Sequence, residues 1–245
     1  MIVCREGLHA SGREEPAMNN DTMYPLFLNL RGRNCVAVGG NKTAEAKIRD
    51  LLGTGAQVKV IAPKVTDAIA AWAGTGRVQW ESRHYETGDL RAAFLVVTAA
   101  GSSTNAKVYA EAEARNTLCN AVDDVEHCNC YAASVVRRGP LQLAISTAGN
   151  SPALAQRLRL ELEQQFGPEY FPWVKELGEL RRRLFSEPDL DPDTRRKMLH
   201  EQASAAAFES FRNLRSKETS SPEVETSSKD MPGDHLTSRR QRKCM

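Results

Sequence analysis

The sequence predicts an α/β protein: a Rossmann-like parallel sheet domain, then a short segment of two strand candidates and a helix, and a helical C-terminal domain. Two observations predict it. Short apolar runs alternate with helical patterns over about 100 residues, as a parallel sheet covered on both faces requires. A glycine-rich turn, Val38-Gly39-Gly40-Asn41-Lys42-Thr43-Ala44, sits between the first such run and the first helix. The 245 residues suit one full domain and a smaller one.

Residues 1–22 are polar and unpatterned, and are expected to be a disordered leader. They contain no apolar core of the kind a signal peptide needs. The Rossmann-like domain is expected over 23–132. Cys35-Val36-Ala37-Val38 is its first strand, and Ala44, Ile48, Leu51 and Leu52 mark one face of a helix closed by Gly53 and Gly55. Gln57–Ile61 is the second strand. A helix over 66–73, strands over 77–80 and 93–98, a helix over 105–115 and a strand over 118–122 follow. From 133 to 166 the grammar changes to two strand candidates, 133–136 and 141–146, about the turn Arg138-Gly139-Pro140, and then a helix opened by Ser151-Pro152. Helices over 171–186 and 193–215 fill a domain at 167–216. The remainder, 217–245, has almost no large apolar residue and is expected to be a disordered tail.

Composition excludes several classes. With 33 Lys+Arg against 31 Asp+Glu, the net charge of +2 argues against a nucleic-acid partner. No apolar stretch approaches the roughly 18–20 residues of a membrane helix. A cytoplasmic, reducing setting is therefore expected, with the six cysteines mostly as thiols.

The turn after the first strand is where dinucleotides bind in such folds, because glycines permit close backbone approach and the helix N-terminus offers N–H donors to a pyrophosphate. Gly39, Gly40, Asn41, Lys42 and Thr43 are the candidate residues, with Ala62 and Pro63 at the end of the second strand and Thr98, Ala99 and Ala100 at the end of the fourth. Asn41 stands in the second glycine's place and is expected to keep the turn because Asn tolerates left-handed backbone. No Asp or Glu follows the second strand to hold a ribose hydroxyl, although Lys64 is nearby. Asp123, at the carboxyl end of the last core strand, is placed for acid/base work, while one of Asp123 and Asp124 can simply cap the next segment. His127-Cys128-Asn129-Cys130 has no second ligand pair, so it reads as two buried thiols and a surface histidine, with no fixed metal site. Arg181-Arg182-Arg183 reads as a solvated helix face.

Together, Pro25–Leu30 leading into Arg33-Asn34-Cys35, the Val-Gly-Gly turn with Ala44-Glu45 and Lys47, Cys119–Asp123, and Ser146-Thr147-Ala148-Gly149-Asn150-Ser151-Pro152-Ala153-Leu154-Ala155 resemble the precorrin-2 dehydrogenase / sirohydrochlorin ferrochelatase family. That family includes the N-terminal module of siroheme synthase. The resemblance implies that 133–166 is a small dimerisation segment, and that the homodimer oxidises the tetrapyrrole precorrin-2 to sirohydrochlorin with NAD⁺, with insertion of Fe²⁺ in many members. It implies Asp123 as the essential carboxylate, and Asn120, Ser134, Arg138, Ser146, Thr147 and Asn150 as substrate-binding residues. Because the substrate is a polycarboxylate, Arg137, Arg138, Arg157 and Arg159 are further anchor candidates. Asn41 and the Thr98–Gly101 strand end depart from the family pattern, and Thr147 stands where siroheme synthase has a serine that can be phosphorylated. The alternative is a regulatory module that binds NAD or a tetrapyrrole without turnover.

Overall fold

A computed structural model describes residues 23–219; the expected leader and most of the expected tail lie outside the described residues. Two compact units divide the described residues: 23–137 with 142–167, and 138–141 with 168–219.

The first unit holds a five-stranded parallel sheet in the order β3-β2-β1-β4-β5, with β1 Asn34–Val38, β2 Gln57–Ile61, β3 Val78–Glu81, β4 Leu95–Thr98 and β5 Leu118–Ala121. Helices α1 Lys42–Gly53, α2 Asp67–Gly74 and α3 Ser102–Ala114 connect them. Because side chains alternate along a strand, β1 sends Cys35 and Ala37 to one face, among Ile48, Leu51, Val60 and Ile69. Val36 and Val38 go to the other, among Ile61, Val96, Val108 and Cys119. Burying side chains such as Ile48 and Val108 contributes about 1.5–3 kcal/mol each, and both are fully buried.

Strand order reverses between β1 and β4, since the chain moves outward through β2 and β3 and then returns to the other side of β1. Ligands of open α/β sheets bind outside the strands' carboxyl ends at such a switch point. A single 3₁₀ turn, Val125–His127, follows β5. The hairpin β6 Ser134–Arg138 and β7 Leu141–Ile145 then leads to α4 Pro152–Gln165, capped by Ser151, which accepts from the Leu154 N–H.

The second unit contains α5 Tyr170–Ser186, α6 Pro192–Gln202 and α7 Ala205–Thr219. Tyr170, Trp173 and Phe208 form its aromatic cluster, with ring centroids 4.3–5.7 Å apart. The single helix expected over 193–215 is two. The Ser204 hydroxyl accepts from the Ala207 N–H at 3.2 Å and starts a new helix after Ala203, and that helix runs on to Thr219. The helix expected from Asn105 begins three residues earlier, at Ser102.

Candidate active-site cleft

The turn after β1 shows why each of its residues is present. Gly39 has φ +115°, in the region that disfavours a side chain, and a Cβ there would meet the Ala99 carbonyl oxygen at 2.9 Å. Gly40 lacks positive φ, yet a Cβ on it would lie 2.0 Å from the Lys64 oxygen. Its missing side chain thus makes room for the loop between β2 and α2, which is tied back by the Thr66 N–H on the Gly40 carbonyl at 3.0 Å.

Asn41 corrects the expectation of a left-handed turn, because its backbone is extended, φ −80° and ψ 179°. It serves as the α1 N-cap, with Oδ1 accepting from the Ala44 N–H at 2.9 Å while Nδ2 donates to the Ala99 carbonyl at 3.0 Å. One side chain therefore caps α1 and joins the ends of β1 and β4. Lys42 is exposed and paired with Glu45 at 3.0 Å.

A cleft of about 340 Å³ opens here, lined by Asn41 and Thr43 from the start of α1, Ala99, Gly101, Ser102 and Asn105 around the start of α3, and Val122, Asp123 and Asp124 after β5. The N-termini of α1 and α3 thus meet at the switch point. No side chain caps α3, whose first residues follow Gly101 at φ +91°, so this corner has backbone donors and a positive helix end for an anion.

Asp123 lies on the cleft wall with φ +58°. Its carboxylate is exposed and takes no hydrogen bond from the described residues. Asp124 differs. Its Oδ2 accepts from Asn105 Nδ2 at 3.1 Å, its Oδ1 faces His127 Nδ1 at 2.7 Å, and Asn105 in turn accepts from the Thr98 hydroxyl at 2.7 Å. The Asn105 amide and then the His127 ring hold the Asp124 carboxyl below its usual range. An ionised carboxylate only accepts, so His127 Nδ1 carries a proton.

Of the sequence candidates, Asn41, Thr43, Ala99 and Asp123 line this cleft. Thr98 is fully buried and bonded to Asn105. Ala62 is buried, and its carbonyl accepts from the Trp80 indole at 2.9 Å; the Pro63 carbonyl accepts from Ser82 at 3.2 Å. Ala100 is exposed beyond β4. The Asn120 amide, on β5, donates to the Cys130 carbonyl at 3.1 Å, and Asn120 does not line the cleft. Ser134 and Arg138 are the first and last residues of β6. Ser146, Thr147 and Asn150 build the loop before α4: the Ser146 hydroxyl accepts from the Ala148 N–H at 3.1 Å, Thr147 Oγ1 from the Ser151 N–H at 3.1 Å, and the Asn150 amide donates to the Thr147 carbonyl at 3.0 Å. Gly149 of that loop packs near Val125 and Tyr131.

Among the other expectations, Arg157 and Arg159 pair with Glu161 and Glu163 at 2.6 and 2.5 Å along α4. Arg181 lies over the Phe185 ring at 4.5 Å. His127 is not a bare surface histidine, since its ring is tied to Asp124 and packs edge-on to Tyr109 at 5.9 Å. Cys128 is half-buried, its sulfur 3.1 Å from the Ala121 N–H. Among the described residues no group of three or more His, Cys, Asp or Glu is arranged to hold a metal ion, and no helix is long and apolar enough to cross a membrane. Sequence reasoning missed Gly101, Ser102, Asn105 and Val122 as lining residues. The Gly-Ser-Ser-Thr start of α3 was the available signal.

Comparisons with known proteins bear on the same segments. Residues 26–134 match a family described as putative NAD(P)-binding, and residues 138–165 match the central region of sirohaem biosynthesis proteins. Over these segments the chain is similar to proteins of sirohaem biosynthesis. It is 36% identical to siroheme synthase of Nitrosococcus oceani over 176 residues, covering 66% of this chain and 38% of that one. It is 41% identical to siroheme synthase 1 of Cronobacter sakazakii over 140 residues, or 57% and 30% of the two chains. It therefore spans less than half the length of these relatives. The solved structure of the precorrin-2 dehydrogenase SirC matches at a TM-score of 0.64 and 27% identity, over 80% of this chain and 100% of that one.

Proposed function

We propose that this chain oxidises precorrin-2 to sirohydrochlorin, with NAD⁺ receiving the hydride and Asp123 receiving the accompanying proton. The carrying observation is a free carboxylate, Asp123, on the same cleft wall as the N-termini of α1 and α3 at the β1/β4 switch point.

The residues present fit a dinucleotide. The α1 cap leaves the first N–H groups of the helix open, the positive helix ends suit a pyrophosphate, and Gly39 lets the turn hug β4. The nicotinamide, when bound, supplies the hydride acceptor. On the ribose side, Glu81 is the acidic residue at the end of β3, and Lys59 and Arg83 hold it in ion pairs.

Dehydrogenation removes a hydride and a proton from the macrocycle. Asp123 can take the proton because none of its acceptor sites is occupied by a described neighbour. Asp124 cannot, since both its oxygens already accept hydrogen bonds. The family resemblance adds a homodimer formed through the 133–166 segment, substrate contacts from Asn120, Ser134, Arg138, Ser146, Thr147 and Asn150, and Fe²⁺ as the substrate of a second, insertion step.

Incubation of the purified chain with precorrin-2 and NAD⁺ under anaerobic conditions tests the reading. Sirohydrochlorin absorbance should rise in step with NADH. Binding of NAD⁺ and precorrin-2 without either product would instead establish a binding module. Addition of Fe²⁺ then reads the insertion step, and sedimentation reads the dimer.

A further inference from the structure

Asp123 is a non-glycine residue in left-handed backbone, which persists only where the surroundings enforce it. The main chain enforces it weakly. Val122 N–H donates to the Thr98 carbonyl at 2.9 Å, but the Asp124 N–H reaches the Ala121 carbonyl only at 3.4 Å. The firm restraint is on the next side chain. Asn105, buried and itself fixed by the Thr98 hydroxyl, grips one Asp124 oxygen, and His127 grips the other. Asp124 is thereby pinned from α3 on one side and from the 3₁₀ turn on the other.

We propose that His127 is a positioning residue: through Asp124 it holds the turn that presents Asp123 to the cleft. The two neighbouring carboxylates then divide the work. Asp124 is a fixed, ionised strut, and Asp123 remains free to exchange a proton. His127 does not line the cleft, so it acts on chemistry only through this strut. The groups around it fit that role. Tyr109 packs edge-on against the ring at 5.9 Å, and the Cys119 thiol donates to the His127 carbonyl at 3.6 Å.

This inference rests on the proposed dehydrogenase, so its test has one arm that needs turnover and one that does not. In the first arm, His127→Ala should lower kcat by about tenfold to a hundredfold, with the Kd for NAD⁺ by calorimetry and the KM for NAD⁺ unchanged. His127→Asn places an amide N–H where Nδ1 stood and should keep kcat within about twofold of wild type. A merely structural histidine would not show that rescue. In the second arm, NMR backbone carbon shifts and the HN–Hα coupling of Asp123 report its φ. They should change in His127→Ala and not in His127→Asn. Wild-type kcat in His127→Ala, or unchanged Asp123 shifts in it, would overturn the proposal. A wild-type chain that forms no sirohydrochlorin but shows the Asp123 shifts responding to His127→Ala would refute the dehydrogenase reading and leave the strut standing.

Discussion

Gly40→Ala is the substitution whose cost follows most directly from the structure. The new Cβ would stand 2.0 Å from the Lys64 oxygen and 2.9 Å from the Lys64 carbon and the Val65 Cα, all main-chain atoms that no rotamer change can move. Ordinary contact needs about 3.5 Å, so the loop between β2 and α2 must retreat by more than an ångström. Overpacking of this kind costs about 1–3 kcal/mol. The retreat also stretches the Thr66 N–H bond to the Gly40 carbonyl, worth about 0.5–1.5 kcal/mol. Together these give a loss of about 2–4 kcal/mol. In a domain of this size each kcal/mol lowers Tm by about 2–4 °C, so calorimetry should show a fall of roughly 10 °C, with weakened NAD⁺ binding because the same turn opens the cleft. Gly53→Ala and Gly74→Ala are the controls. Both glycines end helices, and a Cβ on either meets nothing within 4 Å, so Tm should hold or rise slightly. A Gly40→Ala protein that melts with wild type would refute the steric argument.

Other consequences can be checked independently. Asn41→Ala removes the α1 cap and the link to Ala99 and should cost about 1–2 kcal/mol in urea unfolding, whereas Asn41→Asp keeps the capping oxygen and should recover part of it while weakening NAD⁺ binding through its charge. Asp124 is held below its ordinary value of 3.8 by Asn105 and His127. A depressed carboxylate contributes stability that is present above that ordinary value and lost as pH falls through the folded one, so the stability gap between wild type and Asp124→Asn should narrow below about pH 4. Burial raises the thiols of Cys35 to about 11 and of Cys119 to about 12. Neither should therefore be alkylated in the folded protein at pH 8, as read by mass spectrometry, while both react in urea.

Periodicity sufficed where an element's own residues decide it. The run Cys35–Val38, the 3.6-residue spacing from Ala44 to Leu52 and the capping Ser151-Pro152 act locally, and the strands and helices they predict are present. Two helix starts are ambiguous in the sequence because a polar serine both breaks and begins helices. Ser102-Ser103-Thr104 looks like loop, and Ser204 is hidden in an alanine-rich run, yet the one opens α3 and the other caps α7. Asn41 was misread for a different reason: its position in a glycine motif suggested a backbone role, while its side chain is what joins β1 to β4. The strut behind Asp123 could not be read at all, since Asn105 meets Asp124 across 19 residues and Thr98 meets Asn105 only once β4 and α3 pack.

In the proposed reaction the free carboxylate of Asp123 takes a proton during hydride loss from the macrocycle. Its most direct test is the anaerobic turnover of precorrin-2 by wild type and by Asp123→Asn, a nearly isosteric change that cannot accept the proton. Wild type should give NADH and sirohydrochlorin in equal amounts, and Asp123→Asn a rate at least about a hundredfold lower, with NAD⁺ affinity retained. Turnover by Asp123→Asn at the wild-type rate would contradict this role for Asp123.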